Sequence, residues 1–158
     1  PSKGKKAVDE EASYTVKNNE AYYGYKAHVS TEAATGMIQK VEYTTAKVHD
    51  SQVFEQLDTG EVPISADKAY WSKARDEALG NRSYLMIRGR RNKPLSEEEK
   101  SYNKQVSRIR GRIEKIFGYF KRTLGFRRTR YRGLCRGLLE LQIKSICWNL
   151  RRAVSLMQ

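Results

Sequence analysis

The chain is poor in the residues that build disulfide scaffolds and zinc sites, with two cysteines and two histidines in 158 residues. Cys135 and Cys147 fall in a helical pattern with no His or Cys partner nearby. They read as small buried hydrophobes in a reducing compartment, not as a bridge or a metal clip. His28 and His49 are isolated in sequence, which suits structural or capping roles better than metal ligation. No apolar run is long enough to cross a bilayer and no lipidation signal is visible, so no membrane partner is expected. Internal repeats and low-complexity tracts are also lacking, and no secretory leader is expected. The chain opens at Pro1 in a polar stretch, PSKGKKAVDEEAS, which reads as a loop belonging to the C-terminal part of something longer.

Acid is what the second half lacks. Residues 1–87 hold 11 basic and 13 acidic residues, net −2, whereas residues 88–158 hold 20 basic and 5 acidic residues, net +15. The two halves sum to the +13 of the whole chain. Such asymmetry predicts a nucleic-acid face, because a polyphosphate partner releases counterions when Lys and Arg dock on it. With 158 residues there is chain enough for one domain with a real core.

Within the basic half, Ser101–Gly133 contains a single acid, Glu114. On a helix, Val106, Ile109, Ile113, Ile116, Phe117, Phe120 and Leu124 fall within an arc of roughly 100°, a core-facing stripe. Arg110, Glu114 and Lys121 line one edge of that stripe, with Ser107 beside them. Gly111 and Gly118 lie just beyond. A helical Gly costs about 1 kcal/mol against Ala, so two on one face predict a close approach to the backbone. Arg108, Arg112, Lys115 and Arg122 occupy the far, solvated face. The plain reading of the seam is an Arg110–Glu114 surface pair worth a few tenths of a kcal/mol.

Taken in order, residues 1–20 read as loop. AYYGYKAHVS (21–30) and MIQKVEYTTA (37–46) alternate and form a β-hairpin across TEAATG. VHDSQVFEQLD (48–58) is a short helix capped near Asp50 or Ser51, with Val53, Phe54 and Leu57 inward. VPISADKAYWS (62–72) holds a short apolar strand ending in Asp67. Ser72 caps the next helix, KARDEAL, which stops at Gly80. YLMI (84–87) is another strand. Ser96 and Glu99 form a capping box that opens the long basic helix, and Gly125 ends it. FRRTRYRGL (126–134) is a second basic segment. A last helix over about 136–157 has Leu139, Ile143, Ile146, Leu150, Ala153 and Leu156 or Met157 as its apolar side. The expected fold class is α/β, a mixed sheet flanked by helices.

Asp67 sits where a buried strand ends, and ligands of open α/β sheets bind off the carboxyl ends of strands. Its plain alternative is a helix-entry or turn aspartate. One carboxylate there and one at Glu114, on a helix flanking the sheet, can hold Mg²⁺, which takes one or two protein carboxylates with waters and phosphate oxygens. Two such ions can clamp the attacking and leaving oxygens of a phosphoryl displacement.

These residues resemble the DDE transposases of bacterial insertion sequences, in the group with a Y-x2-R-x3-E-x6-K signature. Arg110, Glu114 and Lys121 match its R, E and K, and Ser107 stands where the tyrosine is expected. NNEAYYGYKAHVS, the VHDSQ segment, ISADKAYWS, RRNKPLSEEEK, SRIRGRIEKIFGYFKRTLGFRRTRYRGL and ICWNLRRAV resemble the family's blocks in the family's order. The resemblance implies a ribonuclease-H-like core and three acids binding two divalent ions, Mg²⁺ or Mn²⁺. It also implies cleavage at transposon ends, followed by attack of the freed 3′-hydroxyl on target DNA. By this resemblance Asp67 is the second acid and Glu114 the third, both catalytic and metal-binding. The resemblance further implies that Arg110 and Lys121 contact DNA near the scissile phosphate, and the charge of the second basic segment predicts that Arg127, Arg128, Arg130 and Arg132 extend the DNA face. The first acid belongs to a strand upstream of DEEAS that is missing here, so the chain is expected to be truncated at its N-terminus. Asp9 and Asp50 do not fit that position, although Asp50 follows a strand and could lie near the site.

The domain expectation is one partial catalytic domain over 1–158, with an N-terminal loop (1–20), a sheet-forming part (21–95) and a basic helical part (96–158). Its partners are double-stranded DNA, at transposon ends and target, and a second copy on that DNA. Its place is the bacterial cytoplasm, at the nucleoid. The chain alone should be inactive for want of the first acid. Two rivals stay open: a non-catalytic basic nucleic-acid-binding remnant, and a ribosome-associated basic protein, which leaves the register of Arg110, Glu114 and Lys121 unexplained.

Overall fold

A computed structural model describes residues 8–17, 19–32, 34–60, 63–66, 70–87, 89 and 94–158. Three antiparallel strands come first, β1 (Ser13–Lys17), β2 (Glu20–Thr31) and β3 (Ile38–Thr45), in spatial order β1-β2-β3. Tyr25, Ala27 and Val29 of β2 stand opposite Thr45, Tyr43 and Val41 of β3, so the alternation read from sequence puts one largely apolar face on the pair. Strand β1 lies within the stretch expected as loop. Tyr14 and Val16 alternate there but point outward, and the strand is held by pairing with β2 and by the Tyr14–Tyr23 ring contact at 4.7 Å. An exposed edge strand offers no buried face for periodicity to reveal.

A 3₁₀ turn (Asp50–Val53) then leads into α1 (Phe54–Leu57), burying Val53 and Phe54. Its cap is His49, one residue earlier than expected, whose Nδ1 accepts from the Ser51 N–H at 3.2 Å. Next come β4 (Ile64–Ala66), α2 (Lys73–Leu79) and β5 (Ser83–Leu85), with β4 and β5 parallel. The Ser72 hydroxyl caps α2 as expected, accepting from the Arg75 N–H at 3.2 Å, and Gly80 ends it with φ 52°. The chain closes with α3 (Glu97–Arg122) and α4 (Leu134–Leu156). The capping box is complete: Ser96 N–H donates to Glu99 Oε2 at 2.8 Å, and Glu99 N–H donates to Ser96 Oγ at 3.1 Å.

The protein is therefore mixed α/β, as its pattern predicts. Among the described residues, however, the strands form two separate sheets where one mixed sheet is expected. Each has its own core. Val29, Ile38, Ile116, Phe120 and Leu141 pack under the antiparallel sheet, and Phe54, Leu79 and Leu85 pack around the parallel pair. Among the described residues no helix is long and apolar enough to cross a membrane.

Four expectations about the helices change. The α3 stripe is only half covered: Val106, Ile116 and Phe120 are buried, while Ile109 is 36 % exposed. The apolar side expected of α4 faces outward, with Leu139, Ile143, Ile146 and Leu150 all exposed. Its packed face is instead Gly137, Leu141 and Ser145, flanked by Trp148 and Asn149. Cys135 and Cys147 accordingly lie exposed. Nor does anything described approach Gly111, and Gly118 meets only the guanidinium of Arg122. The close approach is at Gly137, where a Cβ would stand 2.1 Å from the ring of Tyr43.

Candidate nucleic-acid interface and acidic site

Arg127, Arg128, Arg130 and Arg132 are all exposed on the connection between α3 and α4. None of them forms an ion pair among the described residues. An exposed connection with few partners would ordinarily be loose, but this one is tied at both ends. At its start, Phe126 N–H donates to the Phe120 carbonyl at 2.8 Å, and Lys144 Nζ donates to the Leu124 carbonyl at 2.9 Å. That lysine also pairs with the buried Glu140 at 3.1 Å. At its end, Gly133 N–H meets Asp9 Oδ2 and the Tyr25 hydroxyl, each at 3.1 Å, and Leu134 N–H donates to Glu11 Oε2 at 2.9 Å. Two carboxylates thus sit at the positive end of α4, where the helix dipole favours them.

Tyr25 Oη donates to Asp9 Oδ2 at 2.7 Å. That bond is the main cause holding the Asp9 carboxyl below its ordinary range. Burial, then the Asp9 contact, pushes the Tyr25 phenol up to about 12. Asp9, left without a catalytic place by the sequence, thus clamps the basic connection to the sheet.

Glu114 lies on the solvent side of α3, its side chain 71 % exposed. Arg110 Nη2 donates to Glu114 Oε1 at 3.3 Å, the pair expected from their spacing, and Arg110 Nη1 also approaches Met86 Sδ at 3.4 Å. Ser107 is exposed one turn earlier. Lys121, exposed on the same helix, and Arg110 both line a groove of about 740 Å³ between β2 and β4. Asp50 lines it too, paired with Lys26 at 3.1 Å. Helix α3 packs directly against β4. Asp67 follows the last residue of β4 but lies outside the described residues. The structure therefore brings Arg110, Lys121, Asp50 and the strand leading to Asp67 to one groove, with Glu114 one turn along from Arg110. Among the described residues no group of three or more His, Cys, Asp or Glu could hold a metal ion.

His28 has the structural role expected of it. It is buried, its Nε2 lies 3.0 Å from Thr44 Oγ1, and burial lowers its pKa.

Two asparagines position the site helices, and periodicity gives no sign of either. Asn103 accepts from Ile87 N–H at 2.8 Å and donates to Ile87 O at 3.0 Å, fixing α3 to the chain after β5. Asn149 does the same to Ile38 at 2.8 Å in both directions, fixing α4 to the start of β3. Trp148 Nε1 donates to the Gly36 carbonyl at 2.9 Å, and Arg152 Nε to that of Thr35 at 2.5 Å, so α4 grips the β2–β3 turn. These residues belong to the ICWNLRRAV block, whose role the pattern alone leaves blank.

Over 154 residues the chain is 30% identical to "Transposase for insertion sequence element IS1106" of Neisseria meningitidis serogroup B, an alignment covering 93% of this chain and 53% of that protein. The chain thus spans about half the length of the curated relative it matches. No solved structure shows significant similarity to it. The family model described as "Transposase DDE domain" matches residues 1–150, nearly the whole chain, and the protein belongs to that family.

Proposed function

We propose that this chain forms the DNA-gripping and part of the catalytic apparatus of an insertion-sequence transposase, which cleaves DNA at the element's ends and joins the freed 3′-hydroxyl to target DNA. One observation carries the reading. Glu114, the one acid of residues 101–133, sits between Arg110 and Lys121 on a basic helix that packs against the strand leading to Asp67. Arg110 and Lys121 hold the phosphate next to the reacting bond. Arg127, Arg128, Arg130 and Arg132 contact the duplex backbone, positioning it without reading sequence.

The acids fit a hard divalent cation. Such an ion accepts one or two carboxylates, and Glu114 presents one to solvent. Asp67 and Glu114 would hold Mg²⁺ or Mn²⁺, two ions being expected in the complete enzyme. When bound, these supply charge stabilisation to the attacking and leaving oxygens of the phosphodiester. In this reading the fold is ribonuclease-H-like without its first strand, which would bring the first acid, and the isolated chain binds DNA without cutting it. A homodimer on DNA belongs to the same reading. Leu139, Ile143, Ile146, Leu150, Ala153 and Met157 repeat at the four-three spacing of a coiled-coil seam along α4, which supports pairing with a second copy. The setting is the bacterial cytoplasm, at the nucleoid.

A non-catalytic DNA-binding remnant is the second reading, favoured by the Arg110–Glu114 ion pair, which engages the carboxylate within a single exposed helix face. A nicking gel on end-containing DNA separates the two. The chain alone should bind and not nick. A longer protein carrying the missing strand should nick in Mg²⁺ or Mn²⁺, and Glu114→Gln in that protein should abolish nicking while leaving binding intact or tighter. Full activity of the Glu114→Gln protein would refute the role given to this carboxylate.

A further inference from the structure

Four tyrosines run along one face of the antiparallel sheet. Tyr23 and Tyr25 lie two residues apart on β2, so their side chains share a face. Tyr14 of β1 stands directly opposite Tyr23, and their rings meet at 4.7 Å. Tyr25 stacks on Tyr43 of β3 at 5.2 Å and completes the row. The two pairs have different surroundings. Tyr43 lies under Gly137 of α4, and the Tyr25 hydroxyl is bonded to Gly133 N–H where that helix begins. Tyr14 and Tyr23 stay open, 71 % and 45 % exposed, and Val16 is exposed on the same face beside them. Aromatic side chains are the largest sources of contact area a surface can offer, and two in contact, left open next to an exposed valine, form a patch fitted for a flat apolar partner.

The arginine-rich connection ends against this pair. Tyr23 Oη donates to the Asp9 carbonyl at 2.5 Å, and the Asp9 carboxylate accepts from Gly133 N–H at 3.1 Å, so a single residue spans from the open ring to the end of the connection. Arg132 precedes Gly133, and its charge adds to the lowering of the Asp9 carboxyl that the Tyr25 hydrogen bond leads. Arg130 and Arg132 are both exposed. Asp9 and Glu11 lie at the same junction and repel phosphate. A polynucleotide crossing here therefore keeps its phosphates on the arginines and turns its bases to the tyrosines. Duplex bases cannot do this, because their ring faces are already stacked on their neighbours. Unpaired bases can, and open aromatic rings beside a cationic track are how single strands are held.

We propose that Tyr14 and Tyr23 form a stacking platform for unpaired bases of a DNA strand whose backbone is held by Arg130 and Arg132. The choice of DNA rests on the transposase reading. The platform itself rests on the open ring pair and on the hydrogen bonds that join it to the basic connection. Its consequence is a preference for DNA with a single-stranded end over blunt duplex, which the arginines alone do not create.

The experiment is fluorescence-anisotropy binding of the chain to a blunt duplex, to the same duplex with a tail of about four thymidines, and to the duplex with that tail made abasic. Tails are placed on the 3′ end in one set and on the 5′ end in another. Thymidine and abasic tails carry the same phosphates, so the difference between them reads base stacking. In at least one set the thymidine tail should bind about fivefold to a hundredfold tighter than the abasic one. Replacing Tyr14 and Tyr23 together with Ala should abolish that difference, whereas Tyr14→Phe with Tyr23→Phe should keep it, because the rings stack without their hydroxyls. Tyr14→Ala alone should reduce it about fivefold, which serves where the double variant melts early. Tyr22→Ala, on the opposite face of β2, should leave it unchanged. Equal affinity for thymidine and abasic tails in both sets would overturn the proposal, as would a difference that survives both alanines or is lost with both phenylalanines or with Tyr22→Ala. A dimer in sedimentation that Tyr14→Ala dissociates would assign the face to a second copy and overturn it too. Blunt-duplex binding with no base preference would remove the platform and leave the transposase reading standing. No binding to any of the DNAs would refute both.

Discussion

Two glycines on neighbouring helices should respond to the same substitution with opposite signs. In Gly137→Ala the new methyl would lie 2.1 Å from Tyr43 Cε1, 2.7 Å from Cζ and 2.8 Å from Cδ1. The ring cannot swing away freely, because it stacks on Tyr25 at 5.2 Å and its backbone is paired within the sheet. Relief therefore has to come from lifting α4 off β3, and overpacking of this kind costs about 1–3 kcal/mol. With a contact this short the upper end applies, and the helix propensity gained from Ala returns about 1 kcal/mol. The net is about 2 kcal/mol of destabilisation, or a fall in melting temperature of roughly 4–8 °C for a chain of this size. In Gly111→Ala the methyl meets nothing within 4 Å, so only the propensity gain remains and the melting temperature should rise by about 2–4 °C. Thermal melts followed by circular dichroism decide both. The clash itself is isolated by repeating Gly137→Ala in a Tyr43→Ala background, where the penalty should vanish because its cause is gone. A Gly137→Ala protein that melts at or above the parent would refute the packing of α4 on β3 described above.

Replacing Arg127, Arg128 and Arg130 together with Ala should weaken binding to all DNA sequences alike and flatten the salt dependence of log K by about 3, close to one per phosphate contact; an unchanged slope in filter binding would remove this connection from the DNA face. Ser96→Ala should cost about 1 kcal/mol through loss of the hydroxyl that caps Glu99 N–H, against no change for the exposed mid-helix Ser101→Ala, as read by urea denaturation. The Tyr25–Asp9 clamp should show at both ends of the pH scale. Tyr25, raised from 10.0 to about 12, stabilises the fold fully below pH 10 and loses that contribution between about 10 and 12. Asp9, held low, contributes above its unfolded pKa and loses this as pH falls through its folded value. In ultraviolet titration the phenol ionising near pH 12 should be missing from Tyr25→Phe; its persistence there would assign it to another tyrosine.

Most of the fold can be read from the sequence where a buried face imposes a period. The β2–β3 hairpin, the capping box at Ser96 and Glu99, the Ser72 cap and the buried positions Val106, Ile116 and Phe120 all follow from local chemistry. What fails is the step from an apolar stripe to the side it faces. Helix α4 carries Leu139, Ile143, Ile146 and Leu150 on one side, and the hydrophobic pattern favours burying that side. Yet α4 docks through Gly137, Leu141, Asn149 and Trp148, where a missing side chain admits a tyrosine ring and two polar groups reach backbone. Periodicity weights residues by their hydrophobicity and is blind to a glycine chosen for closeness or an asparagine chosen to complete a strand end. The same blindness moved the expected close approach to Gly111 and Gly118 and left Gly137 unnoticed.

The site shows the same division. Charge density and the spacing of Arg110, Glu114 and Lys121 were enough to locate a basic face with one acid in it, because those are properties of a single helix. How that face is held in place depends on residues far apart in sequence. Asp9 and Glu11 reach Gly133 and Leu134 across more than 120 positions, and Lys144 fixes Leu124 from the following helix. An arginine-rich segment loses side-chain entropy on gripping a phosphate backbone, and a mobile main chain would add its own loss to that. Tying the ends of 123–133 to the sheet and to α4 leaves only the side chains to be ordered. The acids that provide this anchoring lie outside the basic half of the chain, so a count of charges by segment does not connect them with it. Asp9 holds the end of this arginine-rich connection, so on the proposed DNA face its loss should weaken DNA binding through the backbone of Gly133 although it removes a negative charge from beside phosphate.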